Sequence, residues 1–178
     1  MTRTPVLSTE ELTSARPGPP PSEAQAGIPA RVADRIRRGD SPRDVLDFLV
    51  AELQANYPAH AWTGVYLVEG DALVVGPYRG PDTPHRRIRI GDEGICGWVA
   101  REGKPQVIPD VGADPRYLSC SPVIRSEIVV PIARDGAVVG VIDVDSEVPA
   151  AFTKTDLDAL TELARLVAPI LHGPGGRP

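Results

Sequence analysis

Two pairs of apolar, β-branched runs, each joined by a short polar turn, limit most strongly what this chain can fold into. The first pair is "WTGVYLV" at 62–68 and "ALVVGPY" at 72–78, separated by "EGD". The second pair is "EIVVPIA" at 127–133 and "AVVGVIDVDS" at 137–146, separated by "RDG". Such pairs are typical of β-hairpins. The chain is therefore predicted to build an antiparallel sheet.

Helical patterns precede and follow these hairpins. Apolar residues recur four apart from Ile28, and Ser41 with Pro42 predicts the start of a second helix. A third helix is predicted from about Thr153 to Leu171. Strand-like runs at 86–90 and 106–109, with the short helix "GICGWVARE", fill the middle of the chain. This order predicts an α+β fold, with an antiparallel sheet, helices on one face and a loop-covered ligand pocket on the other.

Composition divides the chain into one domain and two tails. Residues 1–28 are rich in Pro, Ser and Gly and are predicted to be a disordered tail, as are residues 173–178. The domain is predicted over 29–172. A net charge of −5 argues against nucleic-acid binding, and no apolar run is long enough to span a membrane. Without a secretory signal the protein is expected in the cytoplasm, where thiols stay reduced.

Two aspartates lie in the last predicted strand. Because side chains alternate along a strand, Asp143 and Asp145 are predicted to share a face with Val139 and Val141. Two neighbouring carboxylates repel each other, which a cationic ligand group would relieve. The alternative is that both lie at a solvated strand end. Neither reading is excluded by the strand pattern.

Glu127 begins the neighbouring strand and would complete an acidic cluster if it faced the same way. A strict two-residue turn at Asp135 and Gly136 places Ser126 and Ile128 on the side of the aspartates instead. A bulge or a longer loop shifts the pairing by one residue and brings Glu127 to that side. The hairpin pattern leaves both registers open.

Only two cysteines occur in the chain, and both are expected to be free thiols. Cys96 begins a short helix, a position that lowers a thiol pKa, although a small buried side chain is the alternative. Cys120 lies in the polar segment "YLSCSP", which favours accessibility. The two thiols form no CxxC motif and the histidines have no ligand spacing, so no metal site is expected.

The three histidines lie far apart in the sequence. His60 and His172 are expected to be solvated, and His85 is predicted near the rim of the pocket. The chain has no P-loop, no GxSxG and no dinucleotide-binding GxGxxG motif. Phosphoryl transfer and dinucleotide redox chemistry are therefore not expected.

Several stretches, in order, resemble a GAF domain over roughly residues 30–172: "GICGWVAREGKPQVIPDVGADPRY", "RSEIVVPI", "GAVVGVIDVDS" and "AFTKTDLDALTELA". Within that family, "WTGVYL", "GPYRGP", "GICG", "YLSC" and "VIDVDS" are similar to free methionine-(R)-sulfoxide reductases. The resemblance implies a GAF fold and a small-molecule ligand. It also implies a thioredoxin-type reductant with no other cofactor, and a homodimer, which is common for this fold.

The same resemblance implies roles for seven residues. Cys120 would be the nucleophile, and Cys96 is a candidate for the second thiol that condenses with its sulfenic acid. Three carboxyl groups would hold the ammonium group of free methionine sulfoxide and assist protonation of its oxygen. Two aromatic side chains on one strand face would pack around the methyl end. These five substrate-binding residues are Glu127, Asp143, Asp145, Trp62 and Tyr66.

One departure from the reductases concerns a further cysteine that they carry after the "GPYRGP" element. Here that loop reads "DTPHRRI", with His85 near the expected place. Either Cys96 resolves the intermediate directly, an external thiol does so, or the domain has lost turnover. A non-catalytic GAF module that senses a small ligand or redox state is therefore the alternative function.

Overall fold

The structure is a computed structural model that describes residues 16–91, 93–119 and 121–171. None of its helices in these ranges is both long and apolar enough to cross a membrane. Two 3-10 turns, Val111–Ala113 and Ala168–Ile170, accompany the α-helices. The α-helices are α1 Glu23–Ala26, α2 Ile28–Arg37, α3 Pro42–Asn56, α4 Gly94–Glu102 and α5 Lys154–Val167.

Local capping explains where the longer helices begin. The Ser41 hydroxyl accepts a hydrogen bond from the Asp44 backbone N–H at the start of α3, as predicted. At the start of α5, Thr153 and Asp156 form a reciprocal capping box. Both helices therefore begin where the sequence signals place them.

Six antiparallel strands form one sheet in the order β3-β2-β1-β6-β5-β4. The two central strands, β1 and β6, run side by side and pair Trp62 with Asp145 and Gly64 with Asp143. The sheet and the helices around it confirm the predicted α+β architecture. The strands are β1 Trp62–Glu69, β2 Ala72–Arg79, β3 Arg87–Arg89, β4 Gln106–Ile108, β5 Ser126–Arg134 and β6 Ala137–Ser146.

The sheet separates two apolar clusters. On one face the helices α2, α3 and α5 pack against alternate side chains of β5 and β6, including Ile128, Val130 and Ile142. On the other face, α4 and the connection to β5 cover a second cluster that contains Val129 and Val141. The second face, roofed by one short helix and loops, is the face predicted to hold a pocket.

Strand β6 contains a β-bulge at Val139. The bulge makes the predicted orientation of Val139 wrong and decides how β5 and β6 pair. Ile132 pairs with Gly140, whereas Ala133 pairs with Val138, so Val139 is an extra residue in β6. Val139 consequently packs with the helices and does not share the face of Val141. The turn has only two residues, and the bulge supplies the one-residue shift that places Glu127 opposite Asp145.

Two further expectations differ from the structure. The first helix, α1, lies within the tail predicted to be disordered over 1–28, where Ser22 caps it and Arg16 accepts a hydrogen bond from the Lys154 N–H. Residues 1–15 and 172–178 lie outside the described residues. His60, expected to be solvated, is buried and stacks on Tyr57 with ring centroids 4.7 Å apart. Burial lowers the pKa of His60 to about 4.

The close approach of β1 and β6 predicts that Gly140→Ala is destabilising. A Cβ at Gly140 would lie 2.5 Å from the backbone oxygen of Tyr66, which cannot move without distorting the sheet. We expect a loss of about 1–3 kcal/mol in the free energy of unfolding, measured by urea denaturation. Gly112→Ala is the control, because its nearest neighbour is a side-chain oxygen of Asp110 at 3.2 Å. Equal losses in both variants would contradict the prediction.

Candidate functional site

A small cavity lies between the sheet and its roof. Its floor includes Glu127, Asp143 and Asp145, and its walls include Tyr66 and Cys96. Its volume is about 20 Å³, which is room for about one water molecule. The remaining lining residues are His85, Ile88, Gly94, Ile95, Tyr117 and Leu118.

The three carboxyl groups come together because of strand register. Asp143 and Asp145 alternate along β6, and the bulge brings Glu127 of β5 directly opposite Asp145. Their exposed fractions are 5% for Glu127, 6% for Asp143 and 3% for Asp145. These values exclude the alternative of a solvated strand end.

Burial makes all three groups weaker acids than usual. It raises the pKa of Glu127 well above its usual value, and the charges of Asp143 and Asp145 raise that pKa further. Burial, then the charge of Asp143, raises the pKa of Asp145 well above its usual value. For Asp143, burial raises the pKa to about 7, although hydrogen bonding with Cys96 and Glu127 acts in the opposite direction.

The arginine whose charge acts on Glu127 is already paired with another carboxylate. Arg116 donates to both carboxylate oxygens of Asp114, at 2.6 and 3.0 Å, and stacks over the Trp98 ring. The positive charge of Arg116 lowers the pKa of Glu127, while the negative charge of Asp114 raises it. The Asp114–Arg116 pair was not recognised as part of the site from the sequence, although "DPRY" carries both residues.

Two oxygens of the cluster have no hydrogen-bond partner among the described residues. They are Glu127 Oε2 and Asp143 Oδ1, both fully buried. An unsatisfied buried polar atom costs about 1–3 kcal/mol. The floor of the cavity is therefore suited to a proton donor or a cation.

Cys96 lies in the first turn of α4 and is only 4% exposed. The expectation of a lowered thiol pKa is wrong. Burial raises the pKa of Cys96 well above its usual value, and the nearby charges of Asp143 and Glu127 raise it further. The sequence shows that Cys96 is at the start of a helix. It does not show that carboxyl groups from β5 and β6 lie beside the thiol, and these groups change its pKa.

The two aromatic residues predicted at the site lie on its face of β1. Tyr66 lines the cavity and donates a hydrogen bond from its hydroxyl to the His85 carbonyl at 3.0 Å. Trp62 lies beside it, with ring centroids 6.0 Å apart, and stacks on Tyr78. Trp62 covers Gly64, where a Cβ would meet the indole ring at 2.3 Å, and it is not among the lining residues.

The roof of the cavity is held by His85. Its ring Nε2 lies 3.2 Å from the Ser119 carbonyl, so the imidazole joins the loop before β3 to the segment 117–119. Leu118 lies over Gly94, where a Cβ would come within 2.8 Å of its side chain. His85 therefore lies at the rim, as predicted. Cys120, predicted as the nucleophile, and His172 lie outside the described residues.

The raised pKa of Asp143 predicts a contribution to stability that falls as pH rises. Its folded pKa, about 7, exceeds the usual 3.8, so at Asp143 the folded state holds more protons between these values. His60 opposes this change, because its pKa is lowered from 6.5 to about 4 and the unfolded state holds more protons there. Between about pH 4 and pH 7 the free energy of unfolding should therefore fall more, or rise less, in the wild type than in Asp143→Asn. Urea denaturation across this range measures it.

The matched control for this pH dependence is Asp71→Asn, which changes an aspartate that is 82% exposed. This variant should keep the pH dependence of the wild type. The assignment to Asp143 would be contradicted if Asp71→Asn flattened the curve as much as Asp143→Asn.

Known proteins of similar sequence include two informative relatives. GAF domain-containing protein A of Dictyostelium discoideum is 38% identical over 107 residues, 60% of this chain and 66% of that protein. Free methionine-R-sulfoxide reductase of Escherichia coli (strain K12) is 36% identical over 110 residues, 62% of this chain and 66% of that protein. The chain spans just under two thirds of the length of these curated relatives.

A solved structure extends the likeness to three dimensions. Free methionine-R-sulfoxide reductase from Neisseria meningitidis, in complex with its substrate, superposes with a TM-score of 0.78 at 33% identity. The match covers 88% of this chain and 94% of that one. Residues 39–172 match the GAF domain family. Since this match takes in the whole sheet, α5 and the walls of the cavity, the chain belongs to the GAF domain family.

Proposed function

We propose that this protein reduces free methionine (R)-sulfoxide. The observation that carries the proposal is a cavity floor of three buried carboxyl groups, two of whose oxygens have no hydrogen-bond partner among the described residues. An amino acid with a free ammonium group supplies the missing donors and the missing positive charge. The likeness to reductases of free methionine-R-sulfoxide supports this choice of ligand.

The ammonium group would be held by Glu127, Asp143 and Asp145. A cation next to them favours their charged forms, so ligand binding and proton release are coupled. Tyr66, on the cavity wall, and Trp62, packed beside Tyr66, would surround the methyl end of the ligand. A peptide-bound methionine sulfoxide has no free ammonium group and should be excluded.

In the chemical step, the Cys120 thiol would attack the sulfoxide sulfur. A protonated carboxyl group of the cluster delivers its proton to the sulfoxide oxygen. Burial raises the pKa of all three groups, so one of them can stay protonated near neutral pH while the others are charged against the ammonium group. The S–O bond of the substrate breaks as its oxygen passes to the Cys120 sulfur, and the sulfur–sulfur bond formed in the attack breaks as well. The products are a sulfenic acid on Cys120 and methionine, the reduced thioether. Leu118 and Ser119, which precede Cys120 in the sequence, lie at the roof of the cavity, which supports this role.

A second thiol would then condense with the sulfenic acid, giving a disulfide and water. Cys96 is one candidate, although its raised pKa disfavours the thiolate in the free protein. An external thiol is the other. A thioredoxin-type dithiol would reduce the resulting disulfide.

A cycle of this kind predicts stereospecific turnover. Purified protein with dithiothreitol should convert free methionine (R)-sulfoxide to methionine but leave the S epimer, and Cys120→Ser should abolish the reaction. Turnover lost in Cys96→Ser with thioredoxin but kept with dithiothreitol would assign Cys96 as the resolving thiol. Ligand binding without turnover by folded protein would refute the reductase and support a sensor.

Loss of one carboxyl group predicts weaker substrate binding. Asp143→Asn should raise the KM for free methionine (R)-sulfoxide by about tenfold or more, since it removes a buried, charge-assisted contact. Asp71→Asn, far more exposed, should leave the KM unchanged. Steady-state kinetics decides this, and an unchanged KM in Asp143→Asn would place the ammonium group elsewhere.

A further inference from the structure

The cavity floor brings together three side chains whose chemistry suits a metal ion as well as an ammonium group. One ligand atom each of Cys96, Glu127 and Asp143 lies within 4.8 Å of the other two. The residues come from α4, β5 and β6, so no local motif connects them. We propose that Cys96, Glu127 and Asp143 form a binding site for a single thiophilic divalent cation, of which Zn²⁺ is the main biological example.

The spacing of the three atoms is close to what zinc requires. With Zn–O near 2.0 Å and Zn–S near 2.3 Å, tetrahedral ligand atoms lie roughly 3.3 to 3.8 Å apart. Atoms already within 4.8 Å reach that spacing by small side-chain rotations. The cavity itself has room for about one water-sized particle, which is also the size of a single ion.

A second, independent observation points to a ligand here. Glu127 Oε2 and Asp143 Oδ1 have no hydrogen-bond partner among the described residues, and both side chains are more than nine-tenths buried. Leaving such oxygens unsatisfied is unfavourable, and metal coordination satisfies both at once. Arg116, whose charge acts on Glu127, is ion-paired with Asp114 and supplies no described hydrogen bond to these two oxygens.

The ligand set selects the class of metal. Ca²⁺ and Mg²⁺ prefer six or more oxygen ligands, whereas a thiolate with two carboxylates suits Zn²⁺ and its analogues Co²⁺ and Cd²⁺. On binding, the Cys96 thiol and any protonated carboxyl group release their protons to solvent as metal bonds form. The expectation of no metal site considered cysteine and histidine spacing alone, which cannot reveal carboxylates from other strands.

Occupation of this site would block the other uses of its residues. Glu127 and Asp143 cannot bind an ammonium group while they coordinate a metal, and the Cys96 sulfur is no longer a free thiol. Zn²⁺ and an amino-acid ligand should therefore compete. The metal site itself does not depend on the reductase proposal, because it rests on the unliganded cavity.

Zinc binding is tested on the full chain, reduced and freed of metal, by competition with a chromophoric chelator and without any sulfoxide. We expect one zinc ion per chain. Cys96→Ser and Glu127→Gln should each weaken zinc binding by more than about 100-fold. Loss of a residue that only hydrogen-bonds a metal ligand costs up to about 100-fold. Asp71→Asn, which changes an exposed aspartate, is the control and should keep the wild-type affinity.

Cobalt supplies a readout that identifies the sulfur. Co²⁺ should give a thiolate-to-metal charge-transfer band in the wild type and in Asp71→Asn, and none in Cys96→Ser. The proposal is overturned if the band persists in Cys96→Ser, if Glu127→Gln binds zinc normally, or if the wild type does not compete with the chelator. Since no substrate is present, failure here and failure of turnover are separate results.

Discussion

One extra residue in β6 determines which side chains face the cavity. The bulge at Val139 lets a two-residue turn coexist with the pairing of Glu127 and Asp145. Without it, Ile128 would face the cavity and Glu127 would be directed into the apolar layer beneath the helices. Burying a carboxyl group there would be very unfavourable. The bulge therefore has two effects: it keeps Glu127 out of the apolar layer beneath the helices, and it places Glu127 in the site.

Three acidic groups buried side by side are a stability cost that folding alone does not explain. No described cation is bonded to them, and burial raises the pKa of each. Strongly shifted pKa values of this kind are typical of functional sites, where a bound ligand supplies the charge that the free protein lacks. An ammonium group and a zinc ion would each supply the positive charge that the three carboxyl groups lack. They differ in that only zinc would bind the Cys96 sulfur.

Local signals in the sequence predicted much of the fold, because hairpins and helix caps depend on neighbouring residues. The starts of α3 and α5 at Ser41 and Thr153 are examples. The bulge was one of two open possibilities, since a two-residue turn is compatible with either register and only the strand pairing decides between them. The burial of His60 was not predicted either, because besides stacking on the nearby Tyr57 its ring lies against the distant Phe152, with centroids 5.9 Å apart.

The same distinction applies to the site. Asp143 and Asp145 share a face by simple alternation, which the sequence shows. The state of the Cys96 thiol depends on groups packed against it from other elements, so its helix position alone misleads.

The small volume of the cavity has a consequence for any ligand larger than an ion. The described structure has room for about one water molecule there, so a ligand of amino-acid size would need a wider form of the cavity. Its apparent affinity would then include the population of that wider form. A single metal ion would not carry this factor, so the cavity would discriminate between ligands by size as well as by chemistry.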